Sequence, residues 1–412
     1  MRKSQSAALR ATRRDNRAPR HLRLVSRAPQ LDVNQTVALR RPTAPLHCLR
    51  PQLIRSTAAR FVAGFAGDVH YAVKCNPEPA VLRALADGGV THFDVASLAE
   101  IALVRRIAPA ARMAFMHPVK PREALVEAYG RFGVRDFSLD SQAELAKILE
   151  ETGQARDLGL HIRIALPKGT ALYDLSGKFG ADAEAAVALL QAARPVAQRL
   201  GVCFHVGSQC MDPAAYGAAL ARAAAIVRAA GVTLDVLDVG GGFPVSYPDL
   251  TPPPLSDYFA AIEAGVAAMD LAVRPRLWCE PGRALVAAGT SVVVKVLARR
   301  GNELFINDGV YGSLSDAGAP GFRFPARLVR PDAASSAEAQ PFVLFGPTCD
   351  SADRMAGPFL VAGDVGEGDW IEIGQLGAYG VALATAFNGF DGREQAEVSD
   401  APLLATPGHG IL

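Results

Sequence analysis

Residues 69–107, VHYAVKCNPEPAVLRALADGGVTHFDVASLAEIALVRRI, contain two copies of one pattern. A short run rich in β-branched and aromatic residues, at 69–74 and again at 91–97, precedes a longer stretch with apolar residues three or four positions apart, Pro79–Asp87 and then Leu98–Ile107. The short run is typical of a buried strand and the longer one of an amphipathic helix. These residues therefore predict two consecutive β–α units.

The same alternation continues to residue 282. The remaining strand-like runs are RMAFMHP (112–118), VRDFSLD (134–140), LGLHIRIAL (158–166), GVCFHVGS (201–208), LDVLDVG (234–240) and RPRLWCEPG (274–282), with helical stretches at Ser141–Glu151, Ala181–Leu200 and Asp212–Ala230. Eight strands alternating with helices predict an α/β fold, a (β/α)8 barrel of the TIM type. An open, doubly wound sheet stays as the alternative, because periodicity alone does not close a sheet.

The pattern changes after Arg283. Short β-type segments separated by Gly, Pro and Asn follow without comparable helices: TSVVVKVLARR (290–300), NELFIND (302–308), FRFPARLVR (322–330), QPFVLFGP (340–347) and GDWIEIG (368–374). They predict a C-terminal, mainly antiparallel β-domain, with 333–339 as a hairpin loop. We expect a disordered basic head at 1–28, a segment at 29–45 that joins the β-domain, the barrel at 46–285 and the β-domain at 286–412.

Positive charge is concentrated at the amino terminus. The formal net charge is +2, but residues 1–27 hold eight Arg, one Lys and one Asp, a local charge of +8 that leaves −6 on the rest. Such a head is consistent with a transit peptide, a nucleic-acid-binding arm or a disordered extension. Its lack of aromatic residues and of an apolar helical face favours the extension. The slightly acidic body argues against nucleic acid as a partner.

The spacing of the cysteines and the hydropathy of the sequence indicate the cellular compartment. The six cysteines are scattered without a CxxC pair: Cys48, Cys75, Cys203, Cys210, Cys279 and Cys349. This spacing suits neither a disulfide framework nor a zinc site, so we expect no metal, and it fits a reducing cytoplasm. The sequence has no signal-peptide core and no apolar run long enough to cross a bilayer. It predicts a cytoplasmic protein with no membrane partner.

Polar side chains follow the predicted strands at their carboxyl ends. These ends carry Lys74, Asp94, His117, Asp140, Arg163, His205 with Ser208, Gly240–Gly242, and Glu280 with Arg283. In a barrel of this type the active site lies at that rim. An amine, an imidazole, three glycines and a carboxylate–arginine pair on one rim therefore predict a shared site.

Each of these residues also has a plainer interpretation. Most lysines at strand ends are solvated, but burial at a barrel mouth lowers a lysine's pKa and frees the amine for covalent chemistry with a carbonyl. Gly240–Gly242 is either a tight turn or a cradle of backbone N–H groups for phosphate, and it does not match the dinucleotide fingerprint. His205 is either a core histidine or a ring that stacks on a cofactor. Glu280 and Arg283 form either a surface ion pair or a carboxylate for a pyridine nitrogen beside a fork for phosphate.

Eight motifs in chain order carry a family resemblance. They are HYAVKCNPEP, FDVASLAEI, FHVGSQC, LDVGGGFP, EPGR, NDGVYGS, GPTCDSADRM and GAYGVALATAFNGF. Together they resemble the barrel-type (fold III, alanine-racemase-like) amino-acid decarboxylases that use pyridoxal 5'-phosphate (PLP), closest to the ornithine and lysine decarboxylases. The similarity covers about residues 45–390. It implies PLP as cofactor, a small-molecule amino acid as substrate and a homodimer with shared active sites.

The resemblance also implies roles for individual residues. Lys74 is implied as the lysine that binds PLP covalently, and His205 as a catalytic residue whose ring stacks on the cofactor. The implied cofactor ligands are these two together with Asp94, Arg163, Ser208, Gly240, Gly241, Gly242, Glu280, Gly282, Arg283 and Tyr379. Cys349 is implied as the proton donor after CO2 leaves and Asp350 as the residue that binds the distal ammonium of the substrate, both reaching the site of the partner subunit.

The motifs favour a basic L-amino acid, ornithine first and lysine second, which would place the enzyme in polyamine biosynthesis. The segment LSDAGAPGFRFP (314–325) departs from the family, because it lacks the aromatic–Asp pair of ornithine-type enzymes and has Arg323 near that place. We therefore count Asp316, Arg323 and Tyr379, with Asp350, as substrate-binding candidates. Other substrates (diaminopimelate, arginine or a D-amino acid) stay open. An amino-acid racemase and a non-catalytic regulator like the antizyme inhibitors are further alternatives, against which Glu280 and Cys349 argue.

Overall fold

The computed structural model describes residues 31–409 except 170, 174 and 176. The basic head predicted at 1–28 lies outside the described residues. The described chain begins with α1 (Val33–Arg40), β1 (Leu46–Leu49) and α2 (Pro51–Gly64). Asp32 caps α1, because its carboxylate accepts the backbone N–H of Gln35 at 2.7 Å.

A closed barrel of eight parallel strands follows. Its elements are β2 (Asp68–Ala72), α3 (Pro79–Asp87), β3 (His92–Val95), α4 (Leu98–Ile107), β4 (Arg112–Phe115), α5 (Arg122–Gly130), β5 (Asp136–Leu139), α6 (Gln142–Glu151), β6 (Gly159–Arg163), α7 (Ala183–Ala193), β7 (Arg199–Cys203), α8 (Ala214–Ala230), β8 (Val236–Asp238), α9 (Leu255–Ala268), β9 (Arg276–Cys279) and the short α10 (Arg283–Val286). Strand β9 pairs with β2 and closes the ring. The predicted barrel is thus confirmed, and the open sheet is excluded.

Local sequence explains why these elements begin and end where they do. Helices α4 and α6 start after Ser97 and Ser141, whose hydroxyls accept the N–H groups of residues three positions on. The helix predicted to extend to Leu200 ends instead at Ala193, since Pro195 interrupts it and β7 begins at Arg199. Because side chains alternate along a strand, one set packs against the helices and the other faces the barrel axis.

The seven remaining strands of the described chain form one eight-stranded sheet together with β1. They are β10 (Thr290–Arg300), β11 (Glu303–Ile306), β12 (Ala326–Val329), β13 (Ala339–Phe345), β14 (Arg354–Ala362), β15 (Trp370–Ile373) and β16 (Glu394–Glu397). Most neighbours are antiparallel, and the order is β12-β15-β10-β11-β13-β14. The hairpin predicted at 333–339 is wrong, because the strands that this loop connects, β12 and β13, are not neighbours.

Residues from the start of the described chain complete the sheet. Strand β1 pairs antiparallel with β10 and parallel with β16. Leu46–Leu49, which the sequence assigned to the barrel at 46–285, therefore belong to the sheet. Val33 and Val37 of α1 share a buried cluster with Val293 and Trp370 of the sheet. Among the described helices, none combines the length and the apolar character that a membrane crossing requires.

Candidate active site

Lys74 stands at the carboxyl end of β2, in a single 3-10 turn over Val73–Cys75. Its Nζ lies 2.8 Å from Oδ2 of Asp94 on the adjacent strand β3. The Lys74 side chain keeps 46% of its surface accessible, whereas that of Asp94 keeps 2%. The Lys74 side chain is therefore accessible at the mouth of the barrel, while its anionic partner Asp94 is buried.

The charge state of Lys74 corrects one expectation from the sequence. Burial, the largest single influence, lowers the pKa of Lys74, but the negative charges of Asp94 and Glu280 raise it more, so the net pKa lies above the usual value. The lowered pKa predicted from burial alone is wrong for the free side chain. Asp94, whose Oδ2 is the nearest anionic atom described for this amine, holds it as an ammonium until a reaction partner removes its proton.

Glu280, directly after β9, is the second charged element of the site. It is 7% exposed, and its Oε1 atom has no hydrogen-bond partner among the described residues. Burial raises the pKa of Glu280 well above its usual range, and the charges of Asp238 and Asp94 raise it further. A buried carboxyl oxygen without a partner is costly in a folded protein, so it points to a group that supplies the missing contact.

Gly240–Gly242 lines the rim after β8 in a conformation that side chains would not tolerate. The φ angles of Gly240 and Gly242 are 69° and 104°, in the region that favours glycine. A Cβ atom on Gly241 would lie 2.6 Å from the carbonyl oxygen of Glu280 and 3.0 Å from Nε2 of His205. Asp238 fixes the turn by accepting the N–H of Gly240 at 2.8 Å. The backbone of this loop therefore packs closely against Glu280 and His205, two of the predicted cofactor residues.

His205, after β7, is held as a neutral ring. Its Nδ1 accepts the backbone N–H of Gly207 at 3.0 Å, so the proton of the neutral ring lies on Nε2. Burial, together with the positive charges of Arg163 and Lys74, lowers the pKa of His205 to about 3. Ser208, three residues on, is tied through its backbone to Tyr173 by two hydrogen bonds of 3.0 and 3.2 Å.

Arg283 is enclosed by polar and aromatic groups at the start of α10. Its Nη1 donates to the hydroxyl of Tyr247 at 2.7 Å, and its Nη2 lies 2.9 Å from the carboxylate of Asp316. The rings of Tyr379 and Phe322 each lie 5.0 Å from its guanidinium carbon. Asp316, a substrate-binding candidate from the sequence, is therefore buried against the predicted phosphate ligand and offsets its charge.

The substrate candidates Arg323 and Asp350, and the predicted proton donor Cys349, make contacts away from Lys74. Arg323 forms an ion pair with Asp249 of the loop that follows the glycines. Cys349 is exposed and its backbone N–H donates to Oδ1 of Asn388 at 3.1 Å. Asp350 accepts the hydroxyl of Tyr311. Within the described part of the chain, no hydrogen bond or ion pair joins Cys349 or Asp350 to Lys74.

These residues fit PLP by their chemistry. The cofactor needs an amine for its aldehyde, an acid for its pyridine nitrogen and donors for its phosphate. Lys74 is the amine, the unpartnered oxygen of Glu280 suits the nitrogen, and Gly240–Gly242 with Arg283 suits the phosphate. The Nε atom of Arg283 also has no hydrogen-bond partner among the described residues.

Three residues of the site escaped the sequence analysis. Asp238 lies beside Glu280, and burial raises its pKa to about 6. Tyr247 orients Arg283, and the Tyr216 hydroxyl donates to the carbonyl of Gly241 at 2.9 Å. Asp238 was within reach of sequence reasoning, since it is the last residue of β8 and therefore lies at the carboxyl end of a barrel strand. The two tyrosines belong to no motif and are found only from the folded chain.

Comparisons with known proteins identify the family that the chain resembles. A family model described as "Pyridoxal-dependent decarboxylase, pyridoxal binding domain" matches residues 52–287. The lysine/ornithine decarboxylase of Selenomonas ruminantium is 34% identical over 340 residues, which cover 78% of this chain and 81% of that protein. The arginine decarboxylase of Paramecium bursaria Chlorella virus superposes with a TM-score of 0.79 at 28% identity, over 89% of this chain and 99% of that one. A Vibrio vulnificus lysine/ornithine decarboxylase complexed with putrescine gives a TM-score of 0.74 at 30% identity, over 88% and 95%.

Proposed function

Because the chain belongs to the family of pyridoxal-dependent decarboxylases, we propose that it removes the carboxylate of a basic L-amino acid, ornithine first and lysine second. The products are the diamine and CO2, and the process served is polyamine biosynthesis. The enzyme is a carboxy-lyase with PLP as its cofactor. The observation that carries the proposal is the rim itself, where Lys74, Glu280 and Gly240–Gly242 offer an amine, a buried acid and a phosphate cradle.

The residues divide the work of decarboxylation. When bound, PLP supplies an electron sink for the pair of electrons that CO2 leaves behind. Glu280, which burial keeps protonated in the protein without PLP, would give its proton to the pyridine nitrogen, and the buried carboxylate that results would stabilise the cation more strongly than water does. His205 presents a neutral ring to one face of the site, and Lys74 transfers protons at the amine of the substrate. Cys349 acts as the general acid that protonates the α-carbon.

The substrate assignment rests on relatives and on Asp350. The Selenomonas ruminantium relative is named for lysine and ornithine, and the Vibrio vulnificus structure holds putrescine. Tyr311 donates a hydrogen bond to Asp350 and lowers the pKa of its carboxyl group, which keeps it negative for a distal ammonium. Arg323 favours a substrate with an acidic side chain instead, but it already forms an ion pair with Asp249.

We also propose that two copies of the chain form a homodimer in which Cys349 and Asp350 complete the site of the partner. An exposed apolar segment reaches this pair through Tyr311, the hydrogen-bond donor to Asp350: Phe387 packs against Tyr311 at 4.8 Å. In that segment, Leu383, Phe387 and Phe390 are 49%, 43% and 50% exposed. Such a patch suits a protein–protein contact. A cytoplasmic location is proposed because the described cysteines are all free thiols.

A substrate panel tests the proposed reaction. CO2 release is measured from L-ornithine, L-lysine, L-arginine, diaminopimelate and the D-isomers with the PLP-loaded protein. We expect the highest kcat/KM for L-ornithine, L-lysine next, and reduced turnover of both in Asp350→Asn. Preferred turnover of diaminopimelate would instead assign the distal contact to Arg323, and racemisation without CO2 release would reject decarboxylation.

A further inference from the structure

The end of the barrel opposite Lys74 contains a second polar cavity. It has a volume of about 490 Å³ and opens at the amino ends of the strands. We call it the floor cavity; Asp68, His70, His92, Arg112, Arg276 and Trp278 are among its lining residues. The decarboxylation proposed above uses none of them, because the catalytic rim lies at the carboxyl ends of the same strands.

Three side chains with metal-binding chemistry meet in this cavity. His70 of β2 is paired in register with His92 of β3, and Asp68 lies two positions before His70 and therefore on the same face of its strand. One ligand atom from each of the three residues lies within 4.8 Å of the other two. Two imidazoles and a carboxylate form a ligand set typical of divalent transition metals.

His70 supplies an independent observation. It is 2% exposed, yet neither of its ring nitrogens has a hydrogen-bond partner among the described residues. Trp278 packs on one face of the ring at 4.2 Å. A buried imidazole without any polar partner points to a bound group that completes it.

Supporting contacts already orient the other two residues. The Nδ1 atom of His92 lies 3.0 Å from the hydroxyl oxygen of Thr91, which leaves Nε2 directed elsewhere. Arg276 binds both carboxylate oxygens of Asp68, because its Nε donates to Oδ2 and its Nη2 donates to Oδ1 at 2.6 Å; each oxygen retains a second lone pair for a metal. Metal-binding histidines and carboxylates are commonly held by such outer contacts, which fix ring orientation and ligand geometry.

We propose that Asp68, His70 and His92 bind one divalent transition-metal ion, with zinc as the best match, and that its fourth coordination position opens into the floor cavity. Zinc bonds of about 2.0–2.1 Å place ligand atoms roughly 3.4 Å apart, so the three side chains close on the ion by rotation. His92, which is only half-buried, has room for this movement. Asp68 offsets the charge of Arg276, and the exposed Arg112 favours an anionic fourth ligand.

The ion joins the first two strands of the barrel at the amino-terminal face, which in barrels of this type serves stability and not catalysis. Because the metal ion binds the folded protein and not the unfolded chain, it raises the melting temperature of the protein. The decarboxylase activity of the PLP-loaded protein is expected to stay within about twofold on removal of the ion, because the rim residues do not contact this cavity. Metal content and decarboxylation are therefore separate measurements. A protein that binds no zinc would contradict the metal site alone, and a protein that releases no CO2 would contradict the proposed function alone.

The test uses the full-length, PLP-loaded protein after treatment with EDTA. Zn²⁺ bound per chain is measured by equilibrium dialysis with elemental analysis, and Co²⁺ is added to a second sample to record its visible absorption spectrum. We expect about one ion per chain and a four-coordinate cobalt spectrum. His92→Gln should weaken zinc binding by more than about 100-fold, and Thr91→Val by about 10-fold. His70→Gln is a second ligand variant. If the His70→Gln protein does not fold, the result for His92→Gln decides the outcome.

A matched control separates the ligands from other buried histidines. His161 also packs against Trp278, at 4.7 Å from that ring, and its Nε2 is already 3.0 Å from Asp136. His161→Gln is expected to keep the wild-type zinc stoichiometry. The proposal fails if wild-type protein binds no zinc, or if His92→Gln binds it as tightly as wild type does. It also fails if inorganic phosphate, titrated into metal-free protein, occupies the floor cavity and zinc does not.

Discussion

At the residue scale, the acid pair Asp238 and Glu280 is the least ordinary feature of the rim. Both carboxyls are buried, and for each of them burial is the largest cause of a raised pKa. A raised pKa in the folded state means that the native protein holds a proton that the unfolded chain releases. The contribution of such a carboxyl group to stability is present when the pH is below its pKa in the unfolded chain. It is lost as the pH rises through its pKa in the folded protein.

The pH dependence of stability tests this pair. The pKa of Asp238 is raised from 3.8 to about 6, so the contribution of this residue is lost between about pH 4 and pH 6. We expect the melting temperature of PLP-free protein to fall more steeply over that range in wild type than in Asp238→Asn, which carries no titrating group there. Parallel melting curves for the two proteins would show that Asp238 is not protonated in the native state.

Single residues were predictable from the sequence where a strand end exposed them. Lys74, His205 and Glu280 each follow a β-type run, so the barrel prediction alone assigns them to one rim. The partners of Arg283 were not predictable, since Tyr247 and Asp316 are far from it in the chain and reach it only through loops. The sequence offered Asp316 as a substrate ligand, and the fold reveals its ion pair with Arg283.

At the element scale, the β8–α9 loop depends on backbone conformation. Gly242 has a φ of 104°, and a Cβ atom there would lie 2.5 Å from the carbonyl oxygen of Gly207. Gly242→Ala should therefore weaken PLP binding by about 10-fold or more, because both strain and contact move the cradle. PLP affinity is measured by equilibrium dialysis.

Gly231 at the end of α8 provides the control for this variant. Its φ is 65°, and no atom lies within 4 Å of an added Cβ. Gly231→Ala carries a similar backbone cost of about 1 kcal/mol, but we expect unchanged PLP affinity. Equal losses of affinity in the two variants would attribute the effect to general destabilisation.

Element boundaries were predictable where the local signal was strong and failed where it was mixed. Helices α3 and α4 have the predicted bounds, Pro79–Asp87 and Leu98–Ile107. Strand β14 was missed because Gly357 and Pro358 interrupt its β-type pattern. It tolerates the proline because it lies at the edge of the sheet, where a missing N–H costs little.

At the scale of the whole molecule, barrel and sheet are joined by pairings that a local pattern does not specify. Strand β1 precedes the barrel and pairs with β10 and β16, more than 200 residues on. Arg50, which follows β1, is buried and lies 2.9 Å from Glu372 of β15. Composition predicted a β-domain, but the contribution of the amino-terminal residues to its sheet depends on these distant partners.

The proposed dimer is tested by mixing two inactive variants. Lys74→Ala removes the cofactor amine and Cys349→Ala removes the general acid, so each homodimer should be inactive. Random mixing makes about half of the dimers heterodimeric, and each heterodimer carries one intact site, which restores about a quarter of wild-type activity. Failure to restore activity, with heterodimers demonstrated by mass spectrometry, would argue that each chain completes its own site.

The central claim is that Lys74 forms the covalent link to PLP at this rim. The most direct measurement is borohydride reduction of the PLP-loaded protein, followed by proteolysis and mass spectrometry of the labelled peptide. The account predicts one pyridoxyl group per chain on Lys74, and none in Lys74→Ala, which should also lose the visible absorption of the PLP–lysine link. A label on Lys120, Lys147 or another lysine, or unchanged visible absorption in Lys74→Ala, would contradict it.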